Sequence, residues 1–126
     1  MLSDYPPVTA IAVADLARAR DFYEGTLGFT PDEDVPDGVL YRSGGGSFLV
    51  YPSAYAGTNK ATAMAFAVPG DAFDGEVAAL RDAGIELQTF ELEGMEWRDG
   101  VASAGAMRAV WFADPDGNIL NLETTG

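Results

Sequence analysis

The sequence repeats one order of secondary-structure signals, at a spacing of about 55 residues when Val8 is aligned with Ala63. Each copy begins with an alternating apolar run and continues with an amphipathic segment that ends at a glycine, Gly28 or Gly84. Further strand-like runs complete each copy, and the second copy carries one extra residue before its helix. The repeat therefore predicts two successive units of strand, helix and three strands, within one domain or as two fused half-domains with a common core.

In the first copy, Ile11 and Val13 fall on the same face of the first strand as Thr9, and the other face carries small side chains. Asp15 is a residue type that caps helix N-termini. The predicted elements are a strand over 8–13, a helix over 16–27, a strand over 29–35, and hairpin strands over 39–42 and 47–51.

The second copy ends in the pattern that is most specific for a turn, Asp114-Pro115-Asp116-Gly117-Asn118 between two apolar runs. Asp114 is suited to accept backbone hydrogen bonds in an Asx-type turn, and Gly117 is suited to a positive φ. The predicted elements are a strand over 63–68, a helix over 73–83, a strand over 85–92, a Gly-rich loop over 93–105, and a closing hairpin of strands 107–113 and 118–124.

Composition excludes several classes of chemistry and of partner. The chain has no Cys and no His, so disulfides, thiolate nucleophiles and histidine-based catalysis are absent. The formal net charge of −13 opposes binding to nucleic acid and to anionic membranes. The N-terminal residues lack the pattern of a signal peptide, and no apolar run approaches the roughly 20 residues that span a bilayer. These features predict a soluble, cytoplasmic protein, and the negative charge favours cationic ligands.

Three stretches, at 11–23, 27–29 and 112–122, resemble the glyoxalase, bleomycin-resistance and extradiol-dioxygenase group, the vicinal oxygen chelate superfamily. The resemblance covers nearly the whole chain. It implies an α+β fold in which two βαβββ modules, about 8–52 and about 62–125, form curled mixed sheets around a cavity in a single domain. It also implies a homodimer, and it leaves open whether the modules pair within one chain or between two chains.

The resemblance also implies where a divalent metal would bind in the enzymes of this group. The corresponding positions are Val8, Ala63, a residue within 48–51, and Asn121. Val and Ala have no donor atom, and the neutral amide of Asn121 is a poor ligand for a transition metal. Tyr51 alone cannot make a site. The expectation is therefore a protein with no metal and no other cofactor.

Alternation places small side chains on the face that the resemblance turns toward the cavity, including Ala10, Ala12, Ala65 and Ala67. Such a face fits either a roomy apolar pocket or close packing against strands or a partner subunit. The candidate ligand-binding residues are Trp111, Trp97, Met107, Tyr51, Asn121 and Glu123.

Each prominent candidate has a structural alternative. Trp111 is suited to stacking on a planar or cationic ligand, or to packing in a core or interface. Trp97, on a charged Gly-flanked loop, fits a lid over the pocket or a dimer contact. Glu123 and Glu96 are anionic contacts for a basic ligand, or solvated side chains.

Three hypotheses of function follow. The first is a metal-independent binding protein that resembles the bleomycin-resistance branch and sequesters a cationic or aromatic ligand. The second is a glyoxalase-like lyase or isomerase, or a dioxygenase-related enzyme, that has lost or replaced the metal site. The third is a dimeric structural or regulatory protein whose cavity is filled by its own side chains.

Overall fold

The computed structural model describes residues 1–125, which form two compact units: residues 1–59, and the chain from Lys60 onward. The first unit contains a four-stranded mixed sheet and the second a five-stranded mixed sheet. This is the α+β class with two mixed sheets that the sequence predicted. No helix within residues 1–125 is long and apolar enough to cross a membrane.

The first unit begins with a short 3-10 turn at Leu2–Asp4. Its sheet has the strand order β1-β4-β3-β2, with β1 parallel to β4 and the other pairs antiparallel. The elements are β1 (Thr9–Val13), α1 (Leu16–Arg20) with a π-helical continuation (Asp21–Thr26), β2 (Pro31–Val35), β3 (Gly38–Ser43) and β4 (Gly46–Pro52).

Local signals account for the ends of the first helical segment. Asp15 is its N-cap, and the Asp15 side chain accepts a hydrogen bond from the backbone N–H of Arg18 at 3.1 Å. Gly28 follows with φ +81°, and the N–H of Phe29 bonds to the carbonyl of Tyr23. Because Phe29 still completes the helix end, β2 begins at Pro31, two residues later than predicted.

The core of the first unit is aromatic and lies on the face of the sheet that carries Ile11 and Val13. Both of these side chains are buried, as are the rings of Tyr23, Tyr41 and Phe48. The ring centroids of Tyr41 and Phe48 are 5.3 Å apart, and those of Tyr23 and Phe48 are 5.7 Å apart. The alternation read from the sequence therefore assigned the core face of β1 correctly.

One polar network is anchored in this core. The Tyr41 hydroxyl donates to Oε2 of Glu24 at 2.8 Å, and Nε of Arg20 donates to the same oxygen at 2.8 Å. Nη1 of Arg20 also contacts Asp34 at 3.3 Å. Burial of Tyr41 and its hydrogen bond to Glu24 raise the pKa of the phenol above its ordinary value of 10.0.

The second unit repeats the arrangement and adds one strand. Its sheet has the order β5-β9-β8-β7-β6, with β5 parallel to β9. Phe73 and Val77 of the helix pack on Val110 and Leu122 of the sheet and form the core. The elements are β5 (Thr62–Val68), α2 (Gly70–Asp82), β6 (Glu96–Arg98), β7 (Val101–Ala104), β8 (Met107–Ala113) and β9 (Ile119–Thr124).

Two predictions in the second unit are wrong. The segment 85–92 is not a strand: it contributes only a bridge in which the N–H of Gln88 donates to the carbonyl of Trp111 at 2.8 Å. The predicted loop over 93–105 instead forms the β6–β7 hairpin, and β7 pairs with β8 in register from Ala102–Ala109 to Ala104–Met107. β7 pairs with residues 107–109 on that edge of β8, and Gln88 bonds beyond this pairing, at Trp111.

The closing turn forms as predicted. Oδ1 of Asp114 accepts hydrogen bonds from the N–H groups of Asp116 and Asn118, each at 2.9 Å, and Gly117 has φ +83°. The Asn118 amide donates to the other carboxylate oxygen of Asp114 at 2.8 Å. These bonds fix the register of β8 and β9.

We expect Tyr41→Phe to lower the free energy of unfolding by about 1.5–3 kcal/mol at pH 8, because it removes a hydrogen bond to a charged acceptor. The native phenol holds its proton more tightly than the unfolded one, so this contribution is complete below pH 10 and declines as the pH rises above 10. The stability gap between wild type and variant should therefore shrink by up to about 1.4 kcal/mol per pH unit above 10. Urea unfolding at pH 8 and pH 11 measures both effects.

Tyr55→Phe is the matched control, because Tyr55 is 79% exposed. It should leave stability within about 0.5 kcal/mol of wild type at pH 8. A gap for Tyr41→Phe that stays constant from pH 8 to pH 11 would contradict the raised pKa.

Candidate functional site

The second sheet presents two chemically different faces. Asn121 pairs with Trp111 and with Ala65, while Glu123 pairs with Ala109 and with Ala67. Paired residues point to the same side of a sheet, so these side chains share the face opposite the Val110–Leu122 core. This side of the second sheet is called the Trp111 face below.

A continuous row of pairings carries this face across all five strands. Trp97 pairs with Ala102, Ala102 with Ala109, Ala109 with Glu123, and Glu123 with Ala67. With strands about 4.8 Å apart, the Cα atoms of Trp97 and Glu123 lie about 14 Å apart, separated by two alanines. The row thus carries an indole at one end and a carboxylate near the other, with two buried alanines between them.

Trp111 is the centre of an aromatic cluster on this face. Its ring centroid lies 5.9 Å from that of Trp97 and 5.8 Å from that of Phe90, which meets it edge-on. Nε1 of Trp111 donates to Oγ1 of Thr62 at 3.3 Å, which fixes the indole over the strand between them. Trp97 and Trp111, predicted separately as ligand contacts, therefore lie side by side.

Asn121 lies under this cluster and is 4% exposed. Its Nδ2 donates to the carbonyl oxygen of Val110 at 3.1 Å. The amide thus satisfies a backbone acceptor in the sheet, and it is positioned on the Trp111 face by the β8–β9 register.

Glu123 is half-buried, and its carboxylate makes no ion pair or hydrogen bond with any other described residue. Its pairing with Ala109 and Ala67 leaves the side chain beside small methyl groups. A cation on the Trp111 face would therefore meet an uncompensated negative charge.

The remaining two candidates lie in different units. Met107 has the parity of Trp111 on β8, is half-buried and pairs with Ala104, so it belongs to the Trp111 face. Tyr51 lies on β4 of the first unit, where it pairs with Ala12 on the side opposite the buried Phe48 and Val50. Five of the six candidates thus share one face, and Tyr51 lies on the corresponding face of the first sheet.

Phe90 was missed by the sequence analysis, which placed it within a strand. Its ring is 39% exposed and completes the aromatic cluster around Trp111. An aromatic residue within a misassigned strand gave no signal that could distinguish it from the other Phe residues of the chain.

The positions that the resemblance assigns to a metal do not fit one. Val8 and Ala63 offer no donor, and Asn121 offers only a neutral amide oxygen, which is a poor ligand for a transition metal. Nowhere in residues 1–125 do three or more His, Cys, Asp or Glu side chains converge as metal ligands would. We derive no chemistry through a bound metal.

Comparison with known proteins connects this architecture to one family. The family model described as the Glyoxalase/Bleomycin resistance protein/Dioxygenase superfamily matches residues 6–122. A comparison with curated proteins finds no match.

Three solved structures show how widely activities vary on this fold. Oxidase ChaP-H2 is 21% identical, with a TM-score of 0.72, and the alignment covers 97% of this chain and 94% of the oxidase chain. The fosfomycin resistance protein FosX from Listeria monocytogenes is 14% identical, with a TM-score of 0.70 and coverage of 97% and 93%. Lactoylglutathione lyase from Agrobacterium tumefaciens is 19% identical, with a TM-score of 0.66 and coverage of 95% and 96%. At these identities the likeness shows the fold alone.

The contact between the two indoles predicts an exciton couplet in the far-ultraviolet circular dichroism spectrum. Trp97 and Trp111 are the only two Trp residues, and their centroids are 5.9 Å apart. We expect Trp97→Phe and Trp111→Phe each to abolish the same couplet, because coupling requires both indoles. Circular dichroism of both variants, with thermal unfolding to confirm folding, is the measurement.

Phe90→Leu is the control, since it alters the cluster but keeps both indoles. It should retain the couplet. A couplet that survives either Trp substitution would show that the two indoles are not in contact.

Proposed function

Because the chain belongs to the glyoxalase/bleomycin resistance protein/dioxygenase superfamily, we propose that it is a small-molecule-binding protein that holds a cationic aromatic ligand on the Trp111 face without a protein-bound metal. The observation that carries this proposal is the paired indoles of Trp97 and Trp111 on the same sheet face as the uncompensated carboxylate of Glu123.

The indoles supply the affinity for a planar ring. Trp97 and Trp111 are both half-buried, so part of each ring remains available to a ligand. Offset or edge-on aromatic contacts contribute about 0.5–1.5 kcal/mol each beyond buried area, and a cation over an indole adds about 0.5–2 kcal/mol. Met107 and Asn121, on the same face, are proposed as additional apolar and polar contacts.

Charge supplies the preference for cations. Glu123 is the carboxylate in the row that contains Trp97, and the chain as a whole carries a formal net charge of −13. A surface of this sign raises the local concentration of cationic ligands and speeds their association. An anionic ligand of the same shape would be repelled from this face.

Small side chains supply the room. Ala65 and Ala67 are exposed near Glu123 on this face, and larger residues there would occupy the space a ring needs, whereas Ala102 and Ala109 are fully buried. Apolar walls with a few placed polar groups are the usual composition of small-molecule sites. The exposed alanines of β5 therefore support a ligand-binding surface beside Glu123.

The proposal also covers a further contact residue, the cellular location of the protein and its oligomeric state. Tyr51 is proposed as a ligand contact on the first sheet, and a cytoplasmic homodimer is the proposed form. The parallel edge strands β1 and β5 carry exposed alanines and need cover, which supports a dimer.

Binding is tested with proflavine, a planar cation, and acridone, a neutral ring of similar size, by tryptophan fluorescence titration. We expect saturable binding of proflavine, weakened about 5-fold by Glu123→Gln and at least about 10-fold by Trp97→Leu, because these remove the charge and the stacking surface respectively. Acridone should lose affinity only in Trp97→Leu.

The matched control is Glu76→Gln, which makes the same charge change at an exposed position on α2. It should bind proflavine within twofold of wild type. Equal losses for Glu76→Gln and Glu123→Gln would show only a diffuse charge effect and would contradict the assigned site.

A thermal-shift screen with divalent metals, with and without chelator, tests whether the protein functions without a bound metal. A ligand at a hundredfold excess over its dissociation constant stabilises the folded state by about 2.7 kcal/mol. We expect no chelator-reversible shift. A clear shift would reinstate a metal-dependent enzyme as the leading hypothesis.

A further inference from the structure

A concave region lies on the side of the second sheet opposite the Trp111 face. It is a groove of about 700 Å³, lined by the end of α2 and by β6, β7 and β8. Arg98 pairs with Val101, and Ser103 pairs with Arg108, so these side chains have the parity of the helix-covered face rather than of the Trp111 face. It is called the arginine groove below.

The groove is rich in arginine although the protein as a whole is acidic. Arg81, Arg98 and Arg108 line it, which is three of the seven basic residues of the chain. Two carboxylates, Glu96 and Asp99, also line it, and Asp74 forms an ion pair with Arg108, so these six side chains are formally neutral together. The chain average is strongly negative, which makes this local excess of guanidinium groups informative.

Arg108 is fixed in place before any ligand arrives. Its Nη1 contacts Asp74 at 2.6 Å, its Nη2 donates to the carbonyl of Gly70 at 3.3 Å, and its guanidinium stacks over Phe73 at 4.7 Å from the ring centroid. Arg81 is oriented by a hydrogen bond from Nη2 to the carbonyl of Asp99. Two of the three guanidinium groups are thus preorganised, which lowers the entropic cost of binding.

Arg98 differs from Arg81 and Arg108 in its hydrogen bonding. It is exposed on the edge strand β6, and it makes no ion pair or side-chain hydrogen bond with the rest of residues 1–125. All five of its N–H donors are therefore available to a ligand. Ser103, on the neighbouring strand, offers a hydroxyl on the same side of the sheet.

From this arrangement we infer that the arginine groove binds the phosphate group of a small phosphorylated molecule. Guanidinium groups bind phosphate through paired N–H donors, and a phosphate dianion accepts such bonds from several directions at once. A monocarboxylate has two oxygens and one charge, which fits a single guanidinium. A phosphate has enough oxygens for both Arg98 and Arg81, because the Arg81 guanidinium bonds the carbonyl of Asp99, the residue next to Arg98. The groove volume is within the usual range for small-molecule sites.

The inference does not depend on the proposed function. The arginine groove and the Trp111 face are on opposite sides of the sheet and select opposite charges. Trp97 is among the residues that line the groove, while its indole contacts Trp111. Failure of either proposal leaves the other intact.

Isothermal titration of the full chain with inorganic phosphate, and separately with acetate, tests the inference at constant ionic strength. We expect saturable binding of phosphate at one site per chain and at least tenfold weaker binding of acetate. Arg98→Gln should weaken phosphate binding at least tenfold, because it removes the guanidinium that has no internal partner. Its melting temperature should match wild type for the same reason.

Arg42→Gln is the control, because Arg42 is an exposed arginine of the first unit whose charge change is identical. It should bind phosphate within twofold of wild type. Equal losses in the two variants, absence of saturable phosphate binding, or acetate binding as tight as phosphate would each overturn the inference.

Discussion

The constraint on which the rest of the structure depends is that a single helical segment covers only one face of each sheet. In the first unit the helical residue Tyr23 packs with Tyr41 and Phe48, and in the second Phe73 and Val77 pack on Val110 and Leu122. Because side chains alternate along a strand, this cover fixes which residues point the other way. The uncovered face of the second sheet therefore collects alanines, two indoles, an amide and a carboxylate by register alone.

Much of the fold was predictable from alternation and from turn chemistry. Ile11 and Val13 identify the core face of β1, and the bonds that Asp114 accepts confirm the closing turn. The prediction fails where alternation competes with long-range pairing. The run at 85–92 reads as a strand, yet β7 occupies the edge of β8 that it would need. The sequence signal for the β6–β7 hairpin is the dipeptide Asp99-Gly100. Both residues have positive φ in the structure, as a type I′ turn requires.

The candidate site was predictable in part, for the same reason. The sequence named Trp111, Asn121 and Glu123 as candidate contacts, and pairing across β8 and β9 places the three side chains on one face. The neighbourhood of Trp97 was not predictable, since it depends on β6 joining the sheet at a distance from β8. The role of Phe90 was not predicted for a related reason, because its contact with Trp111 follows from the single bridge at Gln88.

Alternation also explains how one sheet can carry two opposite charge preferences. On β8, Arg108 points toward α2 and Asp74, while its neighbour Ala109 points toward Glu123. The backbone N–H of Arg108 bonds to Oγ1 of Thr124, the residue after Glu123, so the two strands hold the cation and the carboxylate on opposite sides at nearly the same height. A shift of register by one residue would exchange the faces and bring both charges to the wrong side. The hydrogen bonds of the Asp114 turn, which set that register, therefore determine the charge of each face even though they lie outside both sites.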